Sequence, residues 1–187
     1  NRDYNMDHIF EQAYPTSNWG TKFAITSSLG FEDPSSGTNP LDNLEYEYIR
    51  ITALKDNTEI AISGGSVLKP SGNTMVNITD SDLTLNAGET GWYALHRNDG
   101  LSCYIETSQP VACYFYQRSG YNYSTFDGDP SMVWISPIEL GIEELTFATF
   151  KATGINDANH YINIVIPIEA INNGQMVTLT PPPYNSP

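Results

Sequence analysis

Cys103 and Cys113 are the two thiols of the chain, ten residues apart in apolar, strand-like runs. Between them Thr107, Ser108, Gln109 and Pro110 have the composition of a turn, which predicts a hairpin with both sulfurs on one face. A cross-strand disulfide and a pair of small buried thiols both satisfy that pattern, and the first fits an oxidising compartment. His8, His96 and His160 are dispersed, and no H-x-x-x-H or C-x-x-C spacing gathers ligands for zinc, so each histidine reads as structural. Asp127 and Asp129, and Asn156 and Asp157, are hard-oxygen candidates for Ca²⁺, although neither group follows the EF-hand spacing and the same residues build tight turns unaided. No other cofactor is expected. Glu45, Glu47, Glu143 and Glu144 are carboxylates that a glycosidase-type pair would need. They sit in strand-edge or turn contexts where solvated carboxylates are ordinary, and no G-x-S-x-G elbow marks a nucleophile. No catalytic residue is assigned.

Aromatic side chains give the best candidate ligand surface. Tyr116, Tyr121, Tyr123 and Phe126 form the densest run in a loop-like stretch, where rings can stack on sugars or enter a partner's pocket. Trp92, Phe115 and Trp134 lie inside strand-like runs and are assigned to the core. Trp19, beside Gly20, is expected to fill space at a bend.

The elements that must hold these residues are strands. Polar and apolar residues alternate from Glu47 to Leu54 and from Thr58 to Ser63, and Lys55, Asp56 and Asn57 between them predict a β-hairpin with one buried face. Further strands are expected at 75–79, 83–85, 91–95, 131–136, 144–150, 161–166 and 175–180, with a turn or short helical bend at 168–174. Helix signals are otherwise almost absent. Short strands with turn clusters at 8–15-residue spacing predict an all-β chain, a Greek-key-like β-sandwich. A diverged repeat underlies it: Asp7, Pro15, Gly20, Phe23 and Tyr48 recur in order as Asp129, Pro137, Gly141, Phe147 and Tyr161. The expected division is a first β unit over 1–128, a truncated second unit over 129–180 packed on or continuing the first, and a Pro-rich linker over 181–187.

The chain has 8 Lys+Arg against 22 Asp+Glu and a formal charge of −14, so it lacks the clustered cations that nucleic acid needs. No apolar run approaches the roughly 20 residues of a membrane-spanning helix. Sequons at Asn77 and Asn122 would carry glycan only in a eukaryotic secretory pathway.

Asp7 to Gln12, Pro15, Trp19 to Phe23, Leu85 to Glu89, Ser108 to Ala112 and Gly128 to Met132 form an ordered set that resembles the IgGFc-binding protein N-terminal domain family. The resemblance covers most of the chain. It implies a secreted or surface-displayed β-rich module of large multidomain proteins, and it supplies no site residue. The function expected is a non-catalytic extracellular adhesion or binding module. It would present the loops at 30–44, 96–100 and 117–129 to a protein or glycan partner, beside neighbouring domains of the same protein. The alternatives are a structural or fibre-forming spacer and a carbohydrate-active enzyme domain.

Overall fold

The computed structural model describes residues 11–27, 46–72, 74–96, 102–117, 131–142, 164–166, 168–174 and 176–178. The chain is all-β. Among the described residues the strands are β1 (Gly20–Thr26), β2 (Tyr46–Ala53), β3 (Thr58–Ser63), β4 (Val67–Ser71), β5 (Thr74–Val76), β6 (Thr84–Leu85), β7 (Thr90–His96), β8 (Ser102–Gln117) and β9 (Ser131–Trp134). They join in one curled antiparallel sheet of order β5-β4-β7-β2-β8-β3-β6, with β1 and β9 also paired to β8. A short helix, α1 (Ile168–Asn172), occupies the expected bend. The sheet accounts for the strands expected at 91–95 and 131–136, whereas 164–166 and 176–178 carry no strand pairing. The expected strand at 144–150 and the tail at 181–187 lie outside the described residues.

β8 organises the sheet. Its C-terminal half pairs with β2 on one edge and β9 on the other, and its N-terminal half pairs with β3 and β1. The expected hairpin between the cysteines is therefore replaced by a single 16-residue strand. The segment that looked like a turn is a kink. The Thr107 hydroxyl donates to the carbonyl of Gln109 at 2.8 Å, Pro110 brings no N–H to the ladder, and the β1 register slips between Gly20 and Lys22. The backbone bends there without reversing.

β2 and β3 both run antiparallel to β8, so they follow one another along its edge and are not paired with each other. This corrects the expected hairpin. Residues 54–57 are a step between two strands in series, with Asn57 in the left-handed region at φ 54°. Asp56 accepts from the Ala87 N–H at 3.0 Å and the Thr58 hydroxyl donates to the Lys55 carbonyl at 2.7 Å. Those bonds, with the Asn57 N–H donating to Asn86 Oδ1, tie the step to itself and to the 86–89 turn.

Alternation sets the core. Ile49, Ile51 and Ala53 of β2 point inward with Tyr93 and Leu95 of β7 and with Ile105, Val111, Cys113 and Phe115 of β8. Phe115 is core, as expected. Cys103 and Cys113 share this buried face, as their even separation requires, and both are free thiols. Glu47, read from sequence as a solvated carboxylate, is instead buried at 1 % exposure.

Two Pro-initiated turns stand 122 residues apart in sequence. Pro15 precedes a 3-10 turn at Thr16–Asn18, and Pro137 precedes one at Ile138–Leu140; each is closed by an N–H to the first residue's carbonyl. The second turn docks on the start of β1. The Glu139 carboxylate accepts from the Thr21 N–H at 2.8 Å, from the Lys22 N–H at 3.3 Å and from the Thr21 hydroxyl. Gly20 is required by this contact, since a Cβ there would stand 2.2 Å from Pro137 Cβ. Among the described residues no helix is long and apolar enough to cross a membrane.

Candidate functional site

The outer face of the β7–β2–β8–β9 strands collects the residues best suited to binding. Because side chains alternate, the inward set of each strand leaves a complementary outward set. Register places these in rows. One row runs Trp92, Arg50, Tyr114, Trp134, and the next runs Ala94, Tyr48, Tyr116, Met132, of which Ala94 and Tyr48 are buried. At about 4.8 Å between strands the row spans roughly 14 Å. Tyr14 extends it by stacking on Trp134, with centroids 4.1 Å apart and planes 22° from parallel.

Arg50 sits at the centre. Its guanidinium lies over the Trp92 ring, 5.2 Å from the centroid, and Trp92 leans on Tyr116 with centroids 5.6 Å apart. A hollow of about 260 Å³, open to solvent, is lined by Glu11, Arg50, Thr52, Tyr114, Tyr116 and Met132. Burial, and behind it the charges of Tyr116 and Glu11, raise the Tyr114 phenol, with Arg50 opposing. The phenol therefore remains a neutral donor and acceptor at physiological pH.

Three polar atoms on this face, Arg50 Nε, Trp134 Nε1 and the Tyr48 hydroxyl oxygen, are buried without a hydrogen-bond partner among the described residues. Tyr48 is only 7 % exposed.

The expected ligand residues divide. Tyr116 lies on this face, while Tyr121, Tyr123 and Phe126 fall outside the described residues. So do the Ca²⁺ candidates Asp127, Asp129, Asn156 and Asp157, and no group of metal-ligating side chains occurs among the described residues. The loops at 30–44, 96–100 and 117–129 lie outside as well, apart from His96 and Gln117. His96 packs edge-on against Tyr46 at 4.9 Å. Of the carboxylates considered for a catalytic pair, only Glu47 is described, and it is buried. Among the described residues the Glu11 carboxyl is the one carboxylate lining the hollow.

Trp92 and Trp134, assigned to the core from sequence, belong to the outer face, Trp92 at 42 % exposure. The signal that separates them from the core is parity. Trp92 shares its parity with Thr90 and His96, and Trp134 shares its parity with Met132, whereas the core residues Tyr93 and Leu95 occupy the odd positions of β7.

Comparison with known proteins adds a family to this geometry. No curated protein and no solved structure shows a significant match to the chain. The family described as IgGFc binding protein matches residues 1–183, nearly the whole of it, and the chain belongs to that family.

Proposed function

We propose that the chain is an extracellular, non-catalytic binding module whose ligand surface is the outer face of β7, β2, β8 and β9. The observation that carries this reading is the aromatic row with Arg50 at its centre. Aromatics and arginine are the residue types that dominate binding hot spots, because they bury large areas at little entropic cost. The family description supports binding as the class of activity. The deficit of cations argues for a protein or glycan partner over nucleic acid.

The test is a binding comparison of wild type with Trp92→Ala and Tyr116→Ala against immobilised IgG Fc and a mucin-type glycoprotein, with circular dichroism to confirm folding. Loss of at least about 2 kcal/mol of affinity for a bound partner is expected in folded variants. A partner bound equally well by wild type and both folded variants would refute the assignment of this face.

A further inference from the structure

We propose that the hollow between Arg50, Tyr114 and Tyr116 is a subsite for one ring of a neutral glycan, with the row from Trp92 to Trp134 as the platform for neighbouring rings; this rests on the outer face being the ligand surface. The lining has the composition a sugar needs. Tyr114, Tyr116 and Trp92 offer ring faces for the apolar C–H side of a pyranose, and Met132 supplies an adaptable apolar contact. Glu11 accepts from sugar hydroxyls, Arg50 donates to them, and the Thr52 and tyrosine hydroxyls do either. Such a mixed set matches a hydroxyl, which is both donor and acceptor, better than it matches a purely apolar or purely charged group.

Size and polarity point the same way. At about 260 Å³ the hollow falls below the roughly 300–1,000 Å³ of drug-sized pockets, so it admits a single ring of a longer ligand. It is open to solvent, and the row carries Trp134 and Tyr14 onward from Tyr114, so neighbouring rings of a longer ligand have aromatic contacts to meet. The polar lining, from the Glu11 carboxylate to the Thr52 and tyrosine hydroxyls, suits an occupant rich in hydroxyls.

Charge selects neutral over anionic sugars. Glu11 shares the hollow with Arg50, and the formal charge of −14 repels an acidic glycan at longer range. Arg50, already placed over Trp92, then serves as a planar donor to ring oxygens.

The experiment is saturation-transfer NMR and titration calorimetry on the full chain. The probes are neutral gluco-, galacto- and manno-configured oligosaccharides, with a sialylated oligosaccharide and an oligouronate as the anionic arms. Transfer to the ring C–H protons of a neutral oligosaccharide is expected, with about tenfold or greater weakening in Tyr116→Ala and no change in Val76→Thr on the distant edge strand β5. Arg50→Lys keeps the cation and removes the planar fork, so it gives a second reading if the tyrosine variant unfolds, again with about tenfold loss. Absence of transfer to every neutral probe, preference for the anionic arms, or unchanged affinity in both variants would overturn the proposal. If glycans fail while a glycoprotein still loses binding in Trp92→Ala and binds unchanged after enzymatic deglycosylation, the glycan assignment falls and the face remains the ligand surface. If no partner responds to any substitution on the face, the surface assignment itself falls.

Discussion

Replacing Gly20 by alanine isolates the contact between the second Pro-initiated turn and the first strand. Gly20 is an extended strand residue, so its backbone tolerates any side chain, and only proximity opposes a Cβ there. The added carbon would lie 2.2 Å from Pro137 Cβ and 2.7 Å from Pro137 Cγ, with Glu139 Oε2 at 3.1 Å. Ordinary contact begins at 3.4 Å, so the turn must retreat by more than an ångström. Pro137 is fully buried, and its retreat strips the Glu139 bonds from the Thr21 and Lys22 amides. Overpacking of this kind costs about 1–3 kcal/mol, offset by about 0.4–1 kcal/mol from the stiffer unfolded chain. The net expectation is a loss of about 1–2 kcal/mol, or a fall in Tm of roughly 4 °C for a chain of this size. Urea and thermal unfolding of Gly20→Ala, Pro137→Gly and the double variant measure it. In the Pro137→Gly background both clashing atoms are gone, so Gly20→Ala should become neutral or slightly stabilising, a coupling of about 1–2 kcal/mol. Gly20→Ala as stable as wild type, or equally costly in both backgrounds, would refute the reasoning.

Three further outcomes follow from buried or paired groups. The Lys69 ammonium, and after it the hydroxyl and N–H of Thr79, hold the Asp82 carboxyl down at about 2. That stabilisation is present above the ordinary value of about 3.8 and is lost as pH falls toward 2. Lys69→Met should therefore flatten the stability profile across that acid window, as followed by fluorescence-detected unfolding. Burial pushes the Cys103 thiol up to about 12, and burial together with Cys103 pushes Cys113 further up. A thiol reagent at pH 8 should accordingly label neither cysteine in the native protein and both in denaturant. Tyr93 donates to the Asp82 carbonyl at 2.6 Å from a position only 1 % exposed, so Tyr93→Phe should lower unfolding free energy by about 1 kcal/mol in urea.

The strands were legible in the sequence wherever one face alternates cleanly, as in β2, where Ile49, Ile51 and Ala53 are core and Arg50 and Thr52 are not. The partners of those strands were not legible. Thr107 to Pro110 has turn composition in either a hairpin or a kink, and what distinguishes them, the pairing of both halves of β8 with β1, β2 and β3, depends on tertiary placement. The same holds for residues 54–57, which resemble a hairpin turn but are bonded to the 86–89 turn, about thirty residues on. Tyr116 was singled out because it borders a loop run. Trp92 and Trp134 were missed because hydrophobicity alone assigns a tryptophan to the interior, and only the register to Arg50 and Tyr114 reveals the shared outer face.

That outer face depends on how β7 is held. Trp92 and Tyr93 are adjacent, and either ring is apolar enough to turn inward, so local preference leaves the choice open. The Tyr93 hydroxyl resolves it, because inward it reaches the Asp82 carbonyl, and Asp82 is itself tied to Lys69 of β4, the strand beside β7. Gly91 completes the fit, since a Cβ there would stand 2.7 Å from the same hydroxyl. With Tyr93 fixed inside, alternation sends Trp92 outward, and pairing with Arg50 on β2 sets it over the guanidinium. The core side of β7 thus dictates the outer side, and a slip of one residue would bury Trp92 and expose the polar end of Tyr93 together.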